Sequence, residues 1–201
     1  MTAVSTTGSG TMKDARLIET EVLLPKPKRF VRETLAMPDG YELDWYYVDT
    51  PPSVMVVPVT ANGDLVLVRQ YRHNLKSYAL EFPAGTANHD EGLAHAAARE
   101  LEEETGFTLA PAGELRPLGA YYSLPSETNK YTHIFLAEPV MASGPASGDT
   151  EIEKYFDMSV VVMPFAAAIG AIGDSISGTE TVTALMLARR AQPGLLPEDG
   201  S

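Results

Sequence analysis

Between Gly85 and Phe107 the chain reads GTANHDEGLAHAAARELEEETGF, and no other stretch constrains fold and chemistry as tightly. Glu100, Glu103 and Glu104 stand at helical offsets of three and four, so their carboxylates must project from one face. Neighbouring carboxylates repel by roughly 1 kcal/mol per close pair even at water-like screening, and an uncompensated cluster would weaken the helix. A hard divalent cation relieves that repulsion. Oxygen ligands alone suit Mg²⁺ or Mn²⁺ better than zinc, which prefers Cys and His, and the chain contains no Cys. Taken alone, an LEEE run is a solvated Glu-rich helix face. Its surroundings argue otherwise.

Gly85 follows Pro83 and Ala84 after an apolar run, which marks a strand ending in a tight loop where backbone approaches a ligand. Asp90 suits the N-cap of a helix, the Ala-rich stretch from Leu93 to Ala98 favours its interior, and Gly106 suits its C-terminal stop. The expected unit is strand, loop, helix, loop.

The spacing carries a family resemblance. After Gly85 come five residues and Glu91, then seven and Arg99-Glu100, then Leu101, Glu103-Glu104, Gly106 and Phe107. This pattern resembles the complete signature of the Nudix hydrolases. The resemblance implies that Glu100, Glu103 and Glu104 ligate metal ions with the backbone carbonyl of Ala84, and that Arg99 and Glu104 belong to the catalytic constellation. Glu91 would pair with Arg99 and hold the helix against the loop.

With 201 residues the chain suffices for one substantial domain, burying about 70% of its unfolded surface. A net charge of -12 argues against binding nucleic acid through a broad basic surface. A phosphate-bearing small molecule remains compatible where cations and a few Arg residues invert the field locally. The longest apolar run, from Val160 to Ile172, is about half a membrane span and contains Pro164. No membrane association is expected. The N-terminal stretch lacks the apolar core of a secretory signal, so cytoplasm is the expected compartment.

Residues 1–17, rich in Ser, Thr and Gly, read as a flexible tail. Residues 18–52 read as a small N-terminal antiparallel sheet, with strands from Val22 to Leu24, Arg29 to Leu35 and Tyr41 to Val48. Residues 53–192 form the main domain and 193–201 a second tail. SVMVVPV and DLVLVRQY flank an Asn62-Gly63 hairpin turn. Further strands are expected from Tyr78 to Phe82, in LRPLGAYYS, in YTHIFLA and from Tyr155 to Met163, and a helix from Thr179 to Arg190. Mixed strands with one helix in the middle and one near the end give an α/β (α+β) class, an α-β-α sandwich around a mixed sheet. The resemblance to the Nudix hydrolases implies the same architecture.

The resemblance implies cleavage of a nucleoside diphosphate linked to another moiety, with a carboxylate taking a proton from the attacking water. In the ADP-ribose pyrophosphatase branch that base lies on a loop beyond the signature. Here the matching loop is GDTEIEKYF, with Glu151 slightly ahead of Glu153 and Glu127 as an outside candidate. The stretch VRQYRHNLKSYALEFPAG resembles the same branch, as does the stretch from Tyr41 to Val48, which in those enzymes belongs to a sheet crossing to a partner subunit. A homodimer is therefore implied.

By that match Arg69 and Arg72 contact phosphates, the alternative being a solvated strand end. Trp45 stacks on the base or is core. Glu81 is either a polar contact to ribose or an added acid of the metal site. Pro125 lies where ADP-ribose hydrolases carry a proline, but Ser126, Glu127, Thr128 and Asn129 replace the small turn that usually follows. That departure keeps a nucleotide sugar such as GDP-mannose in contention. Free nucleoside triphosphates or coenzyme A are further substrate classes. A non-catalytic ADP-ribose sensor is the alternative from another class, although every acid of the signature is present. His73, His89, His95 and His133 receive no role.

Overall fold

The computed structural model describes residues 10–147 and 155–195. They divide into two compact units, one holding the described residues up to Thr50 with Leu124–Lys130, the other running from Pro51 to Ser123 and onward from Tyr131.

In the first unit β1 (Arg16–Leu24), β2 (Arg29–Ala36) and β3 (Glu42–Asp49) form an antiparallel sheet in that order. β1 opens at Arg16, paired with Ala36, so the strand begins inside the stretch expected to be tail. All nine residues of β1 are exposed. The loop Leu124–Lys130 belongs to this unit. Thr128 donates its hydroxyl to the Val48 carbonyl at 2.8 Å, and Asn129 Oδ1 accepts from the Thr50 N–H at 2.8 Å. Ser126 to Asn129, which stand in place of a small turn, thus include the residues that fasten this loop to the end of β3.

The second unit is built on β4 (Ser53–Thr60), β5 (Asp64–Arg72), β6 (Ser77–Glu81), β7 (Ala84–Thr86), α1 (Leu93–Thr105), β8 (Phe107–Tyr122), β9 (Tyr131–Ala142), β10 (Ser159–Pro164), α2 (Phe165–Gly170) and α3 (Thr179–Ala191). The sheet order is β10-β5-β4-β9-β8, with β6 beside β5 and β7 beside β4. β4 and β9 are parallel, and the other pairs are antiparallel. The expected mixed sheet is present.

Strand alternation builds the two sides of the sandwich. Val54, Val56, Val66 and Ala137 pack with Ala96, Ala97 and Leu101 of α1. Met55, Val57, Leu65, Leu67, Ile134 and Leu136 pack with Phe165 and Ala168 of α2 and with Ala184, Leu185 and Ala188 of α3. Helices therefore cover both faces of the sheet.

Further elements depart from expectation: Ala84–Thr86, expected as a tight loop, pairs with β4 as the short strand β7. β8 begins at Phe107, well before LRPLGAYYS, because Gly106 reverses the chain in the left-handed region (φ 68) and delivers it straight into pairing with Ala142. The strand expected from Tyr155 begins only at Ser159, after Asp157 at φ 49 interrupts extended backbone. The apolar run from Val160 divides at Pro164 into the end of β10 and the unforeseen α2. Pro at that junction has no N–H to give to a ladder, and its fixed φ suits a helix entrance. No helix among the described residues is long and apolar enough to cross a membrane.

Candidate active site

The site grows from the loop and helix that follow β7. Asp90 does not cap α1: it sits at φ 65 in a turn, and Gly92 is the N-cap. The left-handed conformation, which Asp tolerates better than most residues, carries the chain around before the helix starts. Glu91 takes over the binding of loop to helix. Its carboxylate accepts the Asn88 N–H at 2.9 Å, Arg99 Nε at 2.9 Å and Arg99 Nη2 at 3.1 Å. Arg99, helped by that backbone N–H, pulls the Glu91 carboxyl down to about 2.

Arg99 is the hub of the acidic face. Its Nη1 donates to Glu100 Oε1 at 2.9 Å and to Glu103 Oε2 at 2.8 Å, and its Nη2 reaches the Thr86 carbonyl at 3.2 Å. The hydrogen bonds it donates to Glu91 hold the guanidinium's pKa above its ordinary value against the opposing pull of burial, with Glu100 and Glu103 adding to the rise. The pairing of Glu91 with Arg99 is as the sequence implies.

Glu100 is 9% exposed and lies over Gly85. Glu104 turns toward the start of β7, where its Oε2 accepts the Ala84 N–H at 3.0 Å. Glu100 and Glu104 thus flank the Ala84-Gly85 backbone, and Glu103 is tied to them through Arg99. Among the described residues no group of three or more His, Asp or Glu side chains stands in cation-binding geometry, since Arg99 gathers Glu100 and Glu103 while Ala84 draws Glu104. The donor chemistry still fits a hard divalent cation: carboxylates and a backbone carbonyl, concentrated on one helix face with no sulfur.

Arg69 and Arg72 leave β5 on opposite faces, as strand positions three apart must. Arg69 stacks over the Tyr78 ring, 3.5 Å from its centroid, and Tyr78 donates its hydroxyl to Asp157. Arg72 lies on the α1 side in a two-pronged pair with Glu81, Nε to Oε1 at 2.9 Å and Nη2 to Oε2. Glu81 pushes the Arg72 guanidinium up against the effect of burial, with Glu104 and Glu180 contributing.

Trp45 and Pro125 are exposed residues of the first unit. Glu127, in the same unit, accepts the Val48 N–H on its carbonyl at 2.9 Å. Glu151 and Glu153 lie outside the described residues.

Two residues near Arg72 escape sequence reasoning. Gln70 is buried and donates to Glu81 Oε2 at 3.3 Å. Glu180, in the first turn of α3, accepts from the Ser123 hydroxyl. The strand period places Gln70 on the Arg72 face, but nothing local signals Glu180, whose partner is 57 residues away.

An open cavity of ≈ 670 Å³ runs along the flank of α1, lined by Arg99, Glu102, Glu103, Leu109, Leu115 and Ser147 among others. Its size is that of small-molecule sites.

Residues 49–173 match the NUDIX domain model. An ADP-ribose pyrophosphatase of Bacillus subtilis (strain 168) is 37% identical over 106 residues, 53% of this chain and 56% of the relative. An ADP-sugar pyrophosphatase of Mus musculus is 36% identical over 104 residues, 45% of this chain and 48% of the relative. The chain thus spans about half the length of these two curated relatives. A crystal structure of an ADP compounds hydrolase superposes with a TM-score of 0.77 at 24% identity, covering 92% of this chain and 98% of that one. At that identity the likeness speaks for the fold.

Proposed function

The chain belongs to the NUDIX family, and we propose that it hydrolyses the pyrophosphate bond of ADP-ribose or a related nucleoside diphosphate sugar. The observation that carries this is the acidic face of α1, with Glu100 against Gly85, Glu100 and Glu103 gathered by Arg99, and Glu104 bound to Ala84. The relatives that hydrolyse ADP-ribose and ADP-sugars support the substrate class.

Glu100, Glu103 and Glu104, with the Ala84 carbonyl, would hold divalent cations, Mg²⁺ or Mn²⁺. When bound, such ions screen the phosphate charge and lower the pKa of water. Arg99 keeps the helix acids in place through Glu91. Arg72 offers its guanidinium to a phosphate, for which the planar fork is suited. A carboxylate from the segment after β9, Glu151 or Glu153, takes the proton as water oxygen bonds to phosphorus, and general-base help of this kind is worth about 10²- to 10⁴-fold. The bridging P–O bond breaks, giving a nucleoside monophosphate and a sugar phosphate.

Self-association through the N-terminal sheet is part of the same proposal. Leu17, Ile18, Val22, Leu23 and Leu24 of β1 are exposed, an apolar surface suited to a second copy. So is a cytoplasmic setting.

The test is product release from ADP-ribose, GDP-mannose, other nucleotide sugars and nucleoside triphosphates with Mg²⁺, comparing the intact protein with Glu104→Gln. AMP and ribose phosphate from ADP-ribose, lost in the variant, is the expected outcome. Cleavage confined to other nucleotide sugars would move the substrate and keep the mechanism. Tight ADP-ribose binding without turnover of any compound would sink the enzyme and promote a sensor.

A further inference from the structure

Glu81 carries two expectations from the sequence, a ribose contact or an added acid of the metal site, and the geometry points to a third. Its backbone pairs with Val68, so its side chain leaves the β5–β6 ribbon on the face shared by Val68, Gln70 and Arg72. That face is the α1 side, because Val66, two residues back on β5, packs with Ala96, Ala97 and Leu101.

On this face Arg72 occupies both carboxylate oxygens of Glu81, Nε on Oε1 and Nη2 on Oε2. Gln70, itself 4% exposed, adds a bond to Oε2. The Glu81 side chain is 18% exposed while that of Arg72 is 42% exposed, so the acid is the more sheltered foot and the guanidinium the accessible end. Two-pronged carboxylate pairing fixes the plane of a guanidinium as well as its position. It leaves the Nη1 edge of Arg72 directed away from the pair.

We propose that Glu81 is a positioning residue, backed by Gln70, which fixes the Arg72 guanidinium for a substrate phosphate and neither ligates a cation nor touches the substrate. This rests on the pyrophosphatase assignment for its ligand, a nucleoside diphosphate. It accounts for a buried amide and a partly buried acid on the same face of one ribbon, a pairing that a simple solvated strand end does not require.

The test is a double-mutant cycle on the full chain with Glu81→Gln, Arg72→Ala and their combination, reading ADP-ribose affinity by calorimetry in chelator, where no turnover occurs. Glu81→Gln and Arg72→Ala are each expected to weaken binding by about tenfold, and the combination no more than Arg72→Ala alone, as for residues acting as a unit. Gln70→Ala should weaken it in the same direction by less, guarding against misfolding of the charge variant. Mn²⁺ affinity, titrated separately, should be unchanged in Glu81→Gln. Additive losses, or a drop in Mn²⁺ affinity in Glu81→Gln, would overturn the assignment. Turnover of ADP-ribose by the unmutated protein, measured alongside, judges the pyrophosphatase reading on its own.

Discussion

The Cα of Gly85 lies against the Glu100 carboxylate so closely that a Cβ there would sit 2.0 Å from Oε1 and 2.1 Å from Cδ. The glycine is required by space and not by an unusual φ. Gly85→Ala should therefore push Glu100 off its position while leaving the sheet intact. A shift of about 1 Å at a reacting centre costs about 10²-fold in rate. The expected result is a loss of that order in kcat with an unchanged circular dichroism spectrum, and full activity would contradict the geometry.

The pairing of Glu91 with Arg99 makes stability depend on pH. The Glu91 carboxyl titrates at about 2 in the fold against an ordinary 4.5, so its contribution is complete above the ordinary value and is lost as pH falls toward the lower one. Glu91→Gln should melt at a lower temperature than the parent at neutral pH. The gap between the two melting curves should close as pH is lowered through that window, and a gap independent of pH would count against the pair.

Cation binding at the α1 acids has a thermal signature apart from turnover. A ligand at a hundred times its Kd stabilises by about 2.7 kcal/mol, so saturating Mg²⁺ should raise the Tm of the chelated protein. The rise should be largely absent in Glu100→Gln. Equal shifts in both proteins would place the cation elsewhere.

Gly106 is the hinge between α1 and β8. At φ 68, with the Gly144 carbonyl oxygen 2.2 Å from a notional Cβ, it tolerates no side chain. Gly106→Ala should cost about 1–2 kcal/mol from the left-handed backbone alone, lowering Tm by about 2–8 °C. A melting temperature at or above the parent's would rule the strain out.

What the sequence discloses is what local periodicity controls. The acids of α1 declare themselves because a helix repeats every three to four residues, and Arg99 finds Glu91 because both lie on the loop and helix they join. β4 and β5 are legible from alternation around Asn62-Gly63, as is α3. The cap is misread, since Asp90 and Gly92 are both acceptable there and the turn geometry decides between them. α2 is hidden inside an apolar run whose division at Pro164 depends on which residues find a sheet edge. The foot beneath Arg72 needs the register of β5 with β6, and the bond between Ser123 and Glu180 needs α3 already docked. Registers and docked helices are set by tertiary packing, which no local pattern encodes.

The parallel pairing of β4 with β9 also governs how the protein emerges from the ribosome. Ser53 and Thr132, 79 residues apart, form one rung of that ladder. At about 5–20 residues per second, synthesis leaves β4 without this neighbour for about 4–16 s. The β4–β5 hairpin, β7 and α1 all exist by then, so one face of β4 has cover while its β9 edge stays open to other nascent chains. The strand that anchors both cores thus stays open along one edge until β9 follows it, and β5 waits longer still for β10.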